Sequence, residues 1–252
     1  VDGRLVSGRE DIFAVQQLAS RLWPHGWHPG GLGWALARGQ LGHEVALFGD
    51  GAGALAGWAA RDQHAPGELL AQVDPAHPEA AGAAVAWLLE CAEGDDLAIE
   101  VPAGADVLRA ALAHTGFTPR PGMPVYAMRR SAGAPAAASA LARGYAVRAV
   151  GADERAARVD VHRAAWRPAS LPWHPDHQVP VDPDATSSFT AADYDAVRDT
   201  WLYDRDLDLV AVAPDGSLAA CCIAWFDPAT GVAEIEPLGV APEHRRQGLA
   251  VA

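Results

Sequence analysis

The stretch "AEIEPLGVAPEHRRQGLAVA", Ala233 to Ala252, reads as a strand that runs into a basic, glycine-containing turn, with a helix expected to begin there. A helix start offers unpaired N–H groups and a positive dipole end, which suit a diphosphate. The N–H groups of Arg246, Gln247, Gly248, Leu249 and Ala250 are the expected cradle. Gly248 admits a close backbone approach because it has no Cβ, and Ala250 is small. Arg245 and Arg246 add positive charge.

Upstream lies "LDLVAVAPDGSLAACCIAW", two apolar runs around Asp215-Gly216, a strong hairpin signal. The same order occurs earlier in the chain. "HEVALFGDGAGALAGW" turns at Asp50-Gly51. Each hairpin is followed by a further strand ending in Val-x-Pro-x-His: Val73, Pro75, His77 and Val240, Pro242, His244. Each is preceded by a strand and an amphipathic helix, "RLVSGRE" with "DIFAVQQLASRLW" and "YAVRAV" with "DERAARVDVHRAAW". Asp11 is the expected cap of the first helix. Several matches in one order argue for a duplicated unit.

The expected organisation is therefore a first unit at 1–130, an Ala-rich linker at 131–144 and a second unit at 145–252. After its Val-x-Pro-x-His the first unit continues with a helix, the strand "DLAIEV", a helix from Ala105 and the strand "MPVYAMRR". The second unit is expected to continue likewise beyond Ala252, so it reads as truncated. At the place of the basic turn the first unit has Pro78-Glu79-Ala80-Ala81-Gly82-Ala83. An acid there repels phosphate, so the first unit reads as a degenerate copy.

Composition excludes some functions. The net charge is −13, against broad nucleic-acid binding. No apolar run approaches the length of a membrane span. The three cysteines show no disulfide framework or metal spacing, which suits a reduced, cytoplasmic protein. All 19 basic residues are Arg, the coding bias of a GC-rich bacterial genome.

The order strand, helix, helix, hairpin, strand, helix, strand, helix, strand resembles the GNAT superfamily of acyl-CoA-dependent N-acyltransferases. Arg245-Arg246-Gln247-Gly248-Leu249-Ala250 is similar to its acyl-CoA signature. The resemblance implies an α/β (α+β mixed sheet) fold: two GNAT-like units in tandem, each a central mixed sheet flanked by helices. It implies acetyl-CoA as co-substrate, no metal, and direct attack of a primary amine on the thioester. Leu238, Gly239 and Val240 fall where the family's fourth strand splays open and pairs with the pantetheine arm. Leu238 N–H is the implied oxyanion donor.

The implied base is a Glu on this strand. Glu234 and Glu236 are two apart and share a face, and like-charge repulsion raises one pKa. Glu234 fits the family's spacing better, and Glu236 lies nearer the expected thioester. The family's general acid, a Tyr after strand five, falls outside the given chain. The acceptor is expected to be a small-molecule or peptide amine. A cationic one is suggested by the eight Asp and two Arg between Asp182 and Asp208. His174 and His177 lack a third metal ligand. The same loop also fits a non-catalytic acyl-CoA-binding or regulatory protein.

Overall fold

A computed structural model describes residues 3–39, 41, 44–61, 68–92, 97–102, 104–120, 131, 133, 140–167 and 186–251. The expected strand at 123–130, most of the Ala-rich linker, and Trp173, His174 and His177 lie outside the described residues.

The fold is mixed α/β, with two sheets. The first contains β1 (Arg4–Leu5), β2 (Val45–Gly49), β3 (Leu55–Arg61), β4 (Glu68–Val73) and β5 (Ala98–Ile99), in that order. All its pairs are antiparallel except β4 with β5. Helices α1 (Arg9–Leu22) and α2 (Pro29–Ala37) cover one face; α3 (Pro78–Cys91) and α4 (Asp106–His114) cover the other. Alternation sorts the residues: Val45 and Leu47 face the first pair, Ala46 and Phe48 the second. The second sheet is antiparallel, in the order β6 (Ala146–Ala149), β7 (Asp208–Val212), β8 (Leu218–Asp227), β9 (Val232–Val240). Helices α5 (Arg155–Ala165) and α6 (Ala191–Arg198) pack with Ile223 and Trp225 of β8.

The two sheets repeat each other's landmarks. In each hairpin the turn Asp accepts N–H groups from its own loop: Asp50 from Ala52 and Ala54, Asp215 from Ser217. The Val-x-Pro-x-His segments make the same pair of bonds. Asp74 N–H donates to Ala56 O and His77 N–H to Asp74 O; Ala241 N–H donates to Ala219 O and His244 N–H to Ala241 O. The first strands repeat as well. Arg4 grips Asp11 with both guanidinium nitrogens, and Arg148 grips Glu154 in the same way. These arginines and backbone N–H groups hold Asp11 below the usual carboxylate range and Glu154 at about 2. Asp11 is not the helix cap. Gly8 is, and Asp11 sits one turn in, bound to Arg4 and to Ser7 N–H. Those bonds start the helix before the acid instead of at it.

A second difference concerns the expected helix at Arg245. A short 3-10 turn, Pro242–His244, is followed by irregular turns, not an α-helix. Continuing a helix needs successive i→i−4 bonds, and this segment closes only tighter ones, such as Val251 N–H to Gly248 O.

The halves are packed together through α1 and α2. Ser20 Oγ donates to Asp227 Oδ2 at 2.7 Å, and Trp201 N–H to Gln16 Oε1 at 3.3 Å. Helix α2 lies on β8 and β9 because its glycines admit close contact. A Cβ on Gly30 would stand 2.1 Å from the Trp225 Cβ, and one on Gly31 would stand 2.7 Å from Glu234 Oε2.

Candidate functional site

Strand β9 is the edge of its sheet among the described residues. Its register with β8 sets which backbone groups point outward. Ala241 bonds to Ala219, and Ala220 faces Val240. Antiparallel pairs alternate between bonded and non-bonded. Gly239 therefore points its N–H and C=O toward β8, while Leu238 and Val240 point theirs away from it. Val240 O agrees: it accepts from Arg245 Nε at 3.3 Å. The register slips between Cys222 and Ala224, so Glu236 and Pro237 form a bulge opposite Ile223. The indole of Trp225 fixes the bulge by donating to Glu236 O.

Glu234 and Glu236 have different surroundings. Glu234 Oε2 accepts Gly31 N–H at 2.6 Å, at the start of α2, and lies 3.1 Å from His28 Nδ1. This carboxylate ties the two halves together. Glu236 takes no part in that contact. It is exposed over much of its surface, yet dense protein surrounds it. Burial raises its pKa above the usual glutamate value, the Glu234 charge adds to this, and Arg38 opposes it.

Beside the bulge stands a row of rings. His162 of α5 stacks on Trp166 with centroids 4.4 Å apart, and on its other side meets Phe189 at 4.2 Å. Trp34 of α2 meets Phe189 at 5.3 Å. Trp166 closes the row against β9, since a Cβ on Gly239 would come within 2.3 Å of its ring. His162 is buried, with no partner for Nδ1 among the described residues. Burial first, then the charges of Arg158 and Arg38, push its pKa down to about 3. The folded chain thus keeps His162 neutral at pH values where the unfolded chain protonates it. Stability is expected to fall as pH drops from about 6.5 toward 3, by on the order of 2–3 kcal/mol at pH 4.5 from this residue. His162→Phe keeps a stacked ring and should lose that part of the acid sensitivity, measured by urea denaturation at pH 7 and 4.5.

The basic loop divides its labour. Arg245 does not face outward. Its guanidinium donates to Ala165 O at 3.1 Å and Arg167 O at 3.0 Å, the carbonyls at the end of α5, and so anchors the loop. Arg246 is exposed and has φ of 61°; Gly248 has φ of 79°, and Gln247 between them is not left-handed. Alternating handedness turns successive N–H groups toward one side. Among the described residues, the N–H groups of Arg246, Gln247, Gly248, Leu249 and Ala250 have no acceptor. Leu249 is buried against Ala213 and Ala219 and fixes the loop to the sheet. In the first half the equivalent residues start α3 at once, and Glu79 of its first turn lies 3.2 Å from His77 Nδ1.

The acidic segment is largely committed to structure. Asp193 completes the capping box of α6, Asp195 pairs with Arg155, Asp199 lies 4.0 Å from Arg9, and Asp204 caps a 3-10 turn. Asp208 is wholly buried. It accepts Arg158 Nε at 2.8 Å, Tyr194 OH at 2.7 Å and Tyr203 OH at 3.1 Å. Burial and this carboxylate raise both phenols, Tyr203 to about 12, so they act as hydrogen-bond donors to Asp208.

An outward-facing strand edge thus lies beside a loop whose N–H groups have no acceptor among the described residues. Residues 169–252 match the family model described as "Acetyltransferase (GNAT) family". That match lies in the second half and includes β9 and the loop. Among solved structures, the chain is similar to a GCN5-related N-acetyltransferase from Sphaerobacter thermophilus. The TM-score is 0.46 and the identity 19%, over 99% of this chain and 78% of that one. No curated protein sequence matches. Among the described residues, no helix is long and apolar enough to cross a membrane, and no group of three or more His, Cys, Asp or Glu is placed to hold a metal. The sequence reading gave no role to α2, whose Gly31 N–H holds Glu234; Pro at a helix start and glycines at close approach were the available signals.

Proposed function

We propose that the second half, 145–252, transfers the acetyl group of acetyl-CoA to a primary amine by direct attack. The observation that carries this reading is the β9 edge, with Leu238 N–H directed outward beside the unpaired N–H groups of Arg246 to Ala250. The loop N–H groups and the exposed Arg246 bind the pyrophosphate. Outward groups of Leu238 and Val240 pair with the pantetheine amides, and Leu238 N–H stabilises the thioester oxygen as it gains charge. Gly239 keeps β9 close to Trp166.

Glu236 is the base in this reading, because its pKa is raised and its carboxyl is uncommitted, whereas Glu234 is held by α2. The C–N bond forms as the C–S bond breaks, and the proton taken from the amine balances the one gained by the CoA sulfur. The first half, 1–130, is a degenerate copy whose α2 helps to shape the acceptor side, with 131–144 as linker. Three free cysteines fit a reducing compartment such as the cytoplasm.

The test is calorimetry with acetyl-CoA. Binding is expected, and Gly248→Val should weaken it at least tenfold by forcing a side chain into a left-handed position at the phosphates. No heat with the unaltered protein would sink the reading. Binding without transfer to any amine would leave a CoA-binding protein and no enzyme.

A further inference from the structure

A cation that faces the ring row comes from the first half. Arg38 follows α2, and its guanidinium lies 5.0 Å from the Trp34 ring centroid and 5.2 Å from that of Phe189. A charge at a helix C-terminus usually reaches water and interacts with the dipole. Arg38 does otherwise. It is partly buried, its Nε is buried without a hydrogen-bond partner, and it makes no ion pair among the described residues. Its acidic neighbours, Asp193 and Glu236, act on it only at longer range. Asp193 is already bound to Thr190.

A partly buried guanidinium held over aromatic rings keeps its donor fork for something else. The same row of rings runs through His162 and Trp166 to Gly239, next to the outward N–H of Leu238. Glu236, on the bulge beside that row, senses the Arg38 charge. The rings that reach β9 at Gly239 therefore also carry a cation at Arg38. For an acceptor that is only cationic this arrangement is repulsive, and several of the acidic residues that suggested such an acceptor are bound within the protein.

We propose that Arg38 binds a carboxylate on the acceptor, so that the substrate class is an amine that also carries a carboxylate, as an α-amino acid does. This rests on the acetyltransferase reading and adds a specificity residue supplied by the half without the phosphate loop. The amine is placed at Glu236 and the carboxylate at Arg38, with any apolar side chain against the rings.

The experiment compares α-amino acids, their amides and the matching decarboxylated amines as acceptors with acetyl-CoA. The unaltered protein should show the lowest KM for the amino acids. Arg38→Ala should raise their KM about ten- to hundredfold, the value of a charge-assisted pair, with little change for the amides. Arg38→Lys should recover part of the loss. A second measurement needs no variant: the matching acids without the amino group should compete with an amide acceptor. Transfer only to amides and decarboxylated amines, equal KM shifts for all acceptors with Arg38→Ala, or no competition by the acids would each overturn the proposal and leave the acetyltransferase standing. Absence of acetyl-CoA binding would overturn both.

Discussion

Glu236→Gln is expected to lower kcat for acetyl transfer by about two to four orders of magnitude, the usual contribution of a positioned general base. Acetyl-CoA affinity should hardly change, since the phosphate loop and the outward groups of β9 are untouched. The pH profile supplies a second readout. The base must be ionised, and burial with the Glu234 charge holds the Glu236 pKa above its ordinary 4.5. Activity of the unaltered protein should therefore fall as pH drops through a value above the common glutamate range. The variant should lack that acid limb. Glu234→Gln should behave differently. It weakens the contact with Gly31 N–H and lowers thermal stability more than it lowers kcat. Unchanged kcat in Glu236→Gln with a large loss in Glu234→Gln would exchange the two roles.

Asp208→Ala is expected to cost about 3–5 kcal/mol of stability, the usual result of removing one partner of a buried ion pair. Arg158 is wholly buried, and its two terminal nitrogens have no partner among the described residues. Loss of Asp208 would leave its Nε unpaired too, and strand the hydroxyls of Tyr194 and Tyr203. Replacing both members, Arg158→Met with Asp208→Ala, should recover much of the loss, because no unpaired charge then remains. Urea denaturation checks this. A single-variant loss below about 1 kcal/mol would show that water reaches the pair.

Local pattern made much of the second sheet legible. Asp215-Gly216 marks the hairpin, alternation marks its strands, and Glu234, Glu236 and the Arg245–Ala250 loop follow in one unbroken run. The shared landmarks of the two sheets were legible for the same reason, through residues that recur in order. What escaped was contact across distance. Arg245 looks like a phosphate ligand by position, yet carbonyls of Ala165 and Arg167 hold its head. The acids near Asp208 look like a charged face, yet several are bound to arginines or helix ends. Glu234 and Glu236 are both candidates for the base in the sequence. Gly31 and His28, some 200 residues away in the chain, contact Glu234 and not Glu236.

Helix α2 gives the contact between the halves a thermodynamic meaning. Three of its nine residues are glycine, and each costs about 1 kcal/mol of helix stability relative to alanine. By its own propensity the segment is coil. It becomes helical because β8, β9 and α1 accept it at a distance only glycine permits. Trp34 and Arg38 ride on that helix, so their placement is coupled to docking and they should be ordered together or lost together. Loss of the first half would therefore remove the backbone N–H that holds Glu234 and the glycine face on which Trp225 packs.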